Sequence, residues 1–383
     1  MIGKSEKYIP GIAALTLPLL LLLGSLLAPS QELLPVENRK AASMPAFSLD
    51  SWLSGDYAEG IQSYVNDHVA FRQGFIQAKC FVDELLLMQT EEDGILLGKD
   101  GQMFTKEFVS EEGQEQLFQN LDSLDTFAKD AKVPVTVMIV PSANTILSEK
   151  LPSNAPMEEE NAILDTINDC LAQHSIVVDV RDTLQAHKND YIYYRTDHHW
   201  TTLGAYYAYE AFCDTKGKEP FLPDWGAAER VEDFYGTHYA KTRYFFTVAD
   251  TITYFPANQK MVRYKVTGDA CFEKQSIQEI INTKQLQEYD KYAAFLDGNN
   301  GYSVIDGEGD GRILVVKDSY ANCFVPFLCR NYEQIGVADY RNYAYNLSNL
   351  VEKEAYDEVL ILYSFQGFAK DTGLVAINRP VIE

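Results

Sequence analysis

The sequence predicts an α/β fold built around a parallel β-sheet. Short, wholly apolar runs recur along the chain, and segments with helical spacing of their apolar residues separate them. A strand buried on both faces reads as a continuous apolar run, and parallel neighbours need a crossover between them, usually a helix. Where this rhythm lapses, between about residues 249 and 311, alternating strands and strong turn chemistry predict an antiparallel insertion on the same domain.

Taken in order, residues 8–31 ("YIPGIAALTLPLLLLLGSLLAPSQ") carry no charge and lie downstream of Lys4 and Lys7. About 20 apolar residues suffice to cross a bilayer, and basic residues upstream favour export of the chain on the far side. Residues 1–35 are therefore expected to be a membrane anchor or a signal peptide. The best cleavage candidate, at Leu26-Leu27-Ala28, has a bulky residue where a small one is preferred, which favours the anchor. Residues 36–110 are expected to form a linker and a helical region. "LPVENRKAASMPAFSLDSW" reads as loop; from Tyr57 onward Ile61, Tyr64, Val65 and His68 recur at helical spacing, then Phe75, Ile76, Cys80 and Val82. "GILLGKDGQMF" predicts a hairpin turning at Lys99-Asp100-Gly101.

The α/β domain is expected over 111–383. Leu117, Leu121, Leu124 and Phe127 mark a helix before the strand "VPVTVMIV". Ile163, Leu164, Ile167 and Leu171 mark another before "SIVVDV". "RILVVKDSY" is an apolar strand entering a helix, "QIGVADY" a shorter strand, and "LSNLVEKEAYDEVLILYSF" a helix and a last strand. Such sheets bind ligands outside the carboxyl ends of their strands. Those ends fall at Pro141-Ser142, Asp179, Asp318-Ser319, Asp339 and Ser364-Phe365.

The formal net charge of −24 repels polyphosphates, and no lysine or arginine cluster offsets it, so nucleic acid is not an expected partner. Six scattered cysteines contain no C-x-x-C pair, which removes zinc-ribbon and thioredoxin motifs. Export permits disulfides, and buried free thiols fit equally well.

Chemistry concentrates in "YYRTDHHW", ending at Trp200. In an extended segment neighbours point to opposite faces, so His198 and His199 are not expected to share an ion. His68, His174, His187 and His238 lack ligand spacing to them, and neither a metal nor a cofactor is predicted. Residues i and i+2 share a side, so Asp197 is expected to orient His199, with His198 directed elsewhere. A nucleophile is then required, and Ser319 stands where an apolar strand gives way to a helix. Alone, Ser319 reads equally as a helix N-cap and His199 as a buried histidine; together in an exported chain they point to a Ser-His-Asp triad. Tyr191, Tyr193 and Tyr194 offer either a sugar-stacking platform or a buried strand face.

"TDHHW", with "GILLGKDGQMF" upstream and "VVKDSYAN" downstream, resembles the bacterial DHHW family. "ENR", "NDHVAFR" and "ADYRNY" extend the resemblance from about Glu37 to near the C-terminus. That family is similar to the SGNH-hydrolase-like proteins related to the alginate O-acetyltransferases. The resemblance implies an SGNH-like three-layer α/β fold. Asp197, His199 and Trp200 match its Asp-x-His-Trp motif, and Lys317-Asp318-Ser319 its nucleophile motif, with lysine where SGNH enzymes carry glycine. It also implies an extracytoplasmic O-acetyltransferase or acetylesterase acting on a secreted or cell-wall polysaccharide through an acyl-serine. A membrane-bound acetyl donor protein is the implied partner. Asn144, Asn299 and Asn322 are candidate oxyanion donors, and Trp200 a candidate substrate contact. The alternative is a non-catalytic polysaccharide-binding or assembly factor on the same fold.

Overall fold

A computed structural model describes residues 16, 19–21, 23–25, 27, 32–37, 39–106 and 110–381. The chain divides into two compact units, one comprising residues up to Gln89 together with 240–247, the other 90–239 and 248–383.

The helices of the first unit include α1 (Leu49–Ser54), α2 (Asp56–His68) and α3 (Arg72–Leu85). Ser48 and Ser51 form a reciprocal capping box that starts α1, and Gly55 ends it at φ 95°, a conformation favouring glycine. Of the uncharged stretch 8–31 within the predicted anchor, residues 16, 19–21, 23–25 and 27 are helical, and the rest of that stretch lies outside the described residues. Among the described residues no helix is long and apolar enough to cross a membrane.

The "ENR" and "NDHVAFR" stretches meet in an ion network. Arg39 donates two hydrogen bonds to the Asp67 carboxylate, at 2.7 and 2.6 Å, and one to Glu37 at 2.8 Å. Arg72 donates to the other oxygen of Glu37, and the Ala42 N–H donates to Asp67 at 2.8 Å. The Arg39 hydrogen bonds hold the Asp67 carboxyl down at about 2.

The second unit begins with a hairpin, β1 (Ile95–Leu97) and β2 (Met103–Thr105), turning through Asp100 and Gly101 at φ 57° and 73°. Its centre is an eight-stranded sheet. The strands in chain order are β3 (Val135–Val140), β4 (Ile176–Val177), β5 (Lys260–Gly268), β6 (Cys271–Glu279), β7 (Tyr302–Asp306), β8 (Arg312–Lys317), β9 (Gln334–Ala338) and β10 (Glu358–Ser364). They lie in the order β6-β5-β7-β9-β8-β10-β3-β4. The five from β9 to β4 are mutually parallel, as the apolar runs predict. The predicted insertion supplies β5, β6 and β7, which extend the same sheet antiparallel from β9.

Alternation along the central strands sends side chains into two cores. Ile313 and Val315 of β8, with Leu360 and Leu362 of β10, join one; Leu314, Val316, Val359 and Ile361 join the other. The first core is covered by α4 (Thr202–Lys216) through Ala205, Tyr209 and Phe212. The second is covered by helices Glu111–Asp130 and Glu160–Leu171. Leu117, Leu121, Leu124 and Phe127 of the former are buried at the predicted spacing. Layers on both faces make a three-layer α/β fold.

The step from β8 to β9 leaves to one side, and the next strand, β10, lies on the other side of β8. The order therefore reverses at β8, and in such sheets ligands bind outside the carboxyl end of the strand where it reverses. Ser319 is two residues beyond β8.

Because the Asp67 carboxyl is depressed in the folded state, its ion network stabilises the chain fully above about pH 4 and fades as pH falls towards 2. Asp67→Asn is expected to cost about 1–2 kcal/mol at pH 7 and almost nothing near pH 2. Urea melts of both proteins across this range check the convergence.

Candidate active site

Asp197, His198 and His199 do not lie on an extended strand. Residues 195–199 form a tight bend closed by an antiparallel bridge between Tyr193 and Trp200. The buried carboxylate of Asp250 holds the approach to this bend, accepting hydrogen bonds from the Arg195 and Thr196 N–H groups at 3.0 and 2.7 Å and from Thr196 Oγ at 2.6 Å. The hairpin braces it as well: Met103 N–H donates to Arg195 O at 2.8 Å, and the Gln102 amide to Tyr194 O at 2.8 Å. After the bend Trp200 is fully buried, and Thr201 caps α4.

The structure brings Asp197, His199 and Ser319 into one hydrogen-bonded line. His199 Nδ1 lies 2.5 Å from Asp197 Oδ1, and His199 Nε2 lies 2.7 Å from Ser319 Oγ. With the proton on Nδ1, His199 donates to the carboxylate and accepts the serine hydroxyl proton. Asp197 Oδ1 also accepts the His199 N–H at 3.0 Å, and Oδ2 accepts the Thr237 N–H at 2.7 Å. Burial alone would raise the Asp197 carboxyl; the adjacent His198 and His199 and these hydrogen bonds outweigh it and hold the group well below its usual range. Gly236 allows the 236–237 backbone to come this close, since a Cβ there would stand 2.2 Å from Asp197 Cβ.

The His199 ring is sandwiched. Tyr292 stacks on one side, with centroids 3.9 Å apart and planes 14° apart, and its hydroxyl donates to Ser319 O at 3.0 Å. His198 packs against the same ring at 3.8 Å, tilted 37°. The expectation that the two histidines diverge is thus corrected: the bend turns both rings to one place. Donor atoms of Asp197, His198 and His199 lie within 4.8 Å of one another, although His198 Nδ1 is engaged with Thr237 Oγ at 2.8 Å.

Two side chains join this bend to the serine segment. Trp200 Nε1–H donates to Tyr320 O at 2.8 Å, and the Tyr320 hydroxyl donates to His198 O. Trp200 is therefore a buried clamp rather than a substrate contact. Tyr193 and Tyr194 are buried too, so of this trio only Tyr191 is exposed, and its hydroxyl donates to Asp250.

Ser319 opens a short 3₁₀ helix, Ser319–Cys323, whose N-cap is Asp318, not the serine. Asp318 is buried, which raises its carboxyl, and accepts from Tyr320 N–H at 2.9 Å and from Ser364 N–H and Oγ at 2.9 and 2.6 Å. It thereby locks the carboxyl end of β8 to that of β10. Lys317, 1% exposed, donates to Asn299 Oδ1 at 2.8 Å, Asn322 Oδ1 at 2.7 Å and Asp339 at 3.2 Å. Burial lowers the Lys317 ammonium, and Asp339 opposes that effect. Two of the three candidate asparagines thus sit beside the serine segment. The third, Asn144, donates its amide to Thr105 O at 2.8 Å and lines a 280 Å³ cleft with Phe365 and Gln366. Among the described residues the six cysteines form no disulfide.

Tyr292, Thr237, Gly236 and Asp250 went unread in the sequence. The tyrosine and threonine carry no local pattern, and a single glycine or aspartate is uninformative until the backbone beside it is known.

An SGNH-like α/β sheet with an aligned serine, histidine and aspartate at its topological switch point defines the class. Within it, the chain belongs to the DHHW family: residues 118–338 match the family described as DHHW protein. The solved structure of a DHHW family protein from Eubacterium siraeum is 26% identical, covering 76% of this chain and 98% of that one, with a TM-score of 0.63. Bacillus cereus PatB1 with a sulfonyl adduct is 18% identical over 76% of this chain and 99% of its own, with a TM-score of 0.58. A second PatB1 structure is 17% identical, covering 73% and 98%, with a TM-score of 0.56. No curated protein matches the chain significantly.

Gly236→Ala is expected to push Asp197 away from His199. The low-field Nδ1–H proton resonance of His199 should disappear, and the reactivity of Ser319 towards a fluorophosphonate should fall about 100-fold. An unchanged resonance and reactivity would show that the backbone yields instead.

Proposed function

We propose that the protein is a serine-dependent O-acyltransferase or esterase that handles acetyl groups of a secreted or cell-wall polysaccharide outside the cytoplasm. The observation that carries this reading is the unbroken line from Ser319 Oγ through the His199 ring to Asp197. A polysaccharide-binding or assembly factor has no use for a hydroxyl held 2.7 Å from a buried, carboxylate-oriented imidazole. Membership of the DHHW family and its resemblance to alginate O-acetyltransferases supply the acetyl and glycan parts of the reading.

Ser319 Oγ attacks the acetyl carbonyl carbon while its proton passes to His199 Nε2. The tetrahedral intermediate collapses, the donor's alcohol oxygen takes that proton and leaves, and the acetyl group remains on Ser319. A sugar hydroxyl, or water, then gives its proton to His199 and attacks the acetyl-serine. Ser319 leaves and recovers the proton. Asp197 keeps the Nδ1 proton in place and stabilises the imidazolium at each stage. Residues 8–31 would tether the enzyme beside emerging polymer and a membrane-bound acetyl donor protein, favouring transfer over hydrolysis.

Incubation with an acetyl ester donor, with and without oligosaccharides, should give acetylated sugar, with less free acetate when acceptor is present. Ser319→Ala should lower both products by about 10⁴-fold or more. Free acetate alone with every glycan tried would assign the chain as an esterase. An inert wild type whose Ser319 also resists a fluorophosphonate would sink the enzymatic reading.

A further inference from the structure

The corner between α2 and α3, residues 69–71, departs from what packing within the chain would favour. Phe71 is 78% exposed and holds φ at 62°. A bulky side chain in the left-handed region is strained, and here no burial of the ring offsets that cost. Phe75, four residues on and so on the same face of α3, is exposed as well. The backbone beneath both rings is tied down. Arg72 Nε donates to Asn66 O at 2.9 Å, its guanidinium pairs with Glu37, and the Phe75 N–H donates to Phe71 O at 3.1 Å. Strain kept on an exposed ring points to a use outside the chain's own packing.

The uncharged stretch 8–31 touches this corner. Ser25 Oγ accepts the Ala70 N–H at 2.8 Å and donates to Leu21 O at 2.7 Å. A Cβ added to Gly24 would stand 3.3 Å from Ala70 Cβ, so the two segments approach through small residues, as packed membrane helices do. Leu19, Leu20, Leu23 and Leu27 of the helical residues remain exposed beside this contact. Residues 69–71 carry no charge. Next to them Arg39, Arg72 and Arg243 face only two carboxylates, Glu37 and Asp67, which leaves the cluster one surplus positive charge in a chain that is otherwise strongly acidic. Guanidinium groups suit lipid phosphates.

We infer that Val69, Ala70 and Phe71, with Phe75, dip into the bilayer beside residues 8–31, so that the Phe71 ring lies among the lipid chains just below the headgroups. This rests on the reading of 8–31 as a tether. Ser25 stands six residues before the end of that stretch, about 9 Å along a helix axis. In a hydrocarbon layer about 30 Å thick, that puts the contact with Ala70 in its outer part, where aromatic side chains gather. A bilayer fits better than a second copy or a protein partner, because the Ser25–Ala70 hydrogen bond fixes the ring's level along the apolar stretch itself. Burial of the ring in lipid then offsets the strain at Phe71. The unit is held at two points instead of swinging on one helix.

The test uses the full chain reconstituted in phosphatidylcholine vesicles, with or without bromine atoms near the headgroup end of the acyl chains. Bromine quenches a tryptophan only at close approach. Against a wild-type background of Trp52, Trp200 and Trp225, Phe71→Trp should add blue-shifted emission that is lost in the brominated vesicles. Phe75→Trp should respond in the same sense, and it carries the test if the first variant does not fold. Gly24→Ile, which wedges the stretch away from Ala70, should restore the Phe71→Trp emission while the chain still resists carbonate extraction. Full emission from both new tryptophans in a chain that carbonate does not extract would overturn the insertion; their shielding from aqueous iodide would then assign the corner to a protein surface. Quenching unchanged by Gly24→Ile would overturn the part given to the approach of Gly24 and Ala70. Extraction of the wild type by carbonate would remove the tether, and the inference with it.

Discussion

A carboxylate sealed from water has to be surrounded by donors, and Asp197 imposes that requirement on everything near it. Its two oxygens recruit the imidazole of His199, the N–H of the same residue and the N–H of Thr237. Satisfying them draws the 236–237 backbone against the bend, which only a glycine at 236 permits. The same demand fixes the proton on Nδ1 and leaves Nε2 as an acceptor facing Ser319. Remove the charge, and the tautomer loses the acceptor that fixes it.

Much of the sheet was legible because it is governed by burial. Strands such as "RILVVK" and "EVLILYS" lie between two helical layers and have no polar face, so their sequence contains the fold directly. The helix carrying Leu117, Leu121, Leu124 and Phe127 was legible for the complementary reason, having one buried stripe. The order of strands was hidden, since β10 reaches the far side of β8 through long-range pairing that no local pattern encodes.

The site divides along a similar line. Asp197, His199 and Ser319 were readable from residue type and spacing, although the spacing argument invoked an extended strand where the chain makes a bend. The meeting of Asp197 and His199 survives that change because the bend, like a strand, turns both inward. The placement of His198 does not survive it: without alternation the ring packs on its neighbour instead of facing away. Residues that brace the triad from other elements, Tyr292 above all, were invisible. Stacking on an imidazole and donating to Ser319 O are facts of tertiary approach.

Chain order adds a last consequence. Asp197 and His199 precede Ser319 by about 120 residues, and the strand leading to the serine occupies the middle of the sheet, flanked by β9 and β10, which are made after it. The Oδ2 of Asp318 finds its donors only when Ser364 arrives at the end of β10. The candidate site is therefore assembled late: a chain still under synthesis has made Asp197 and His199 well before Ser319, and the Ser364 that holds Asp318 comes later still.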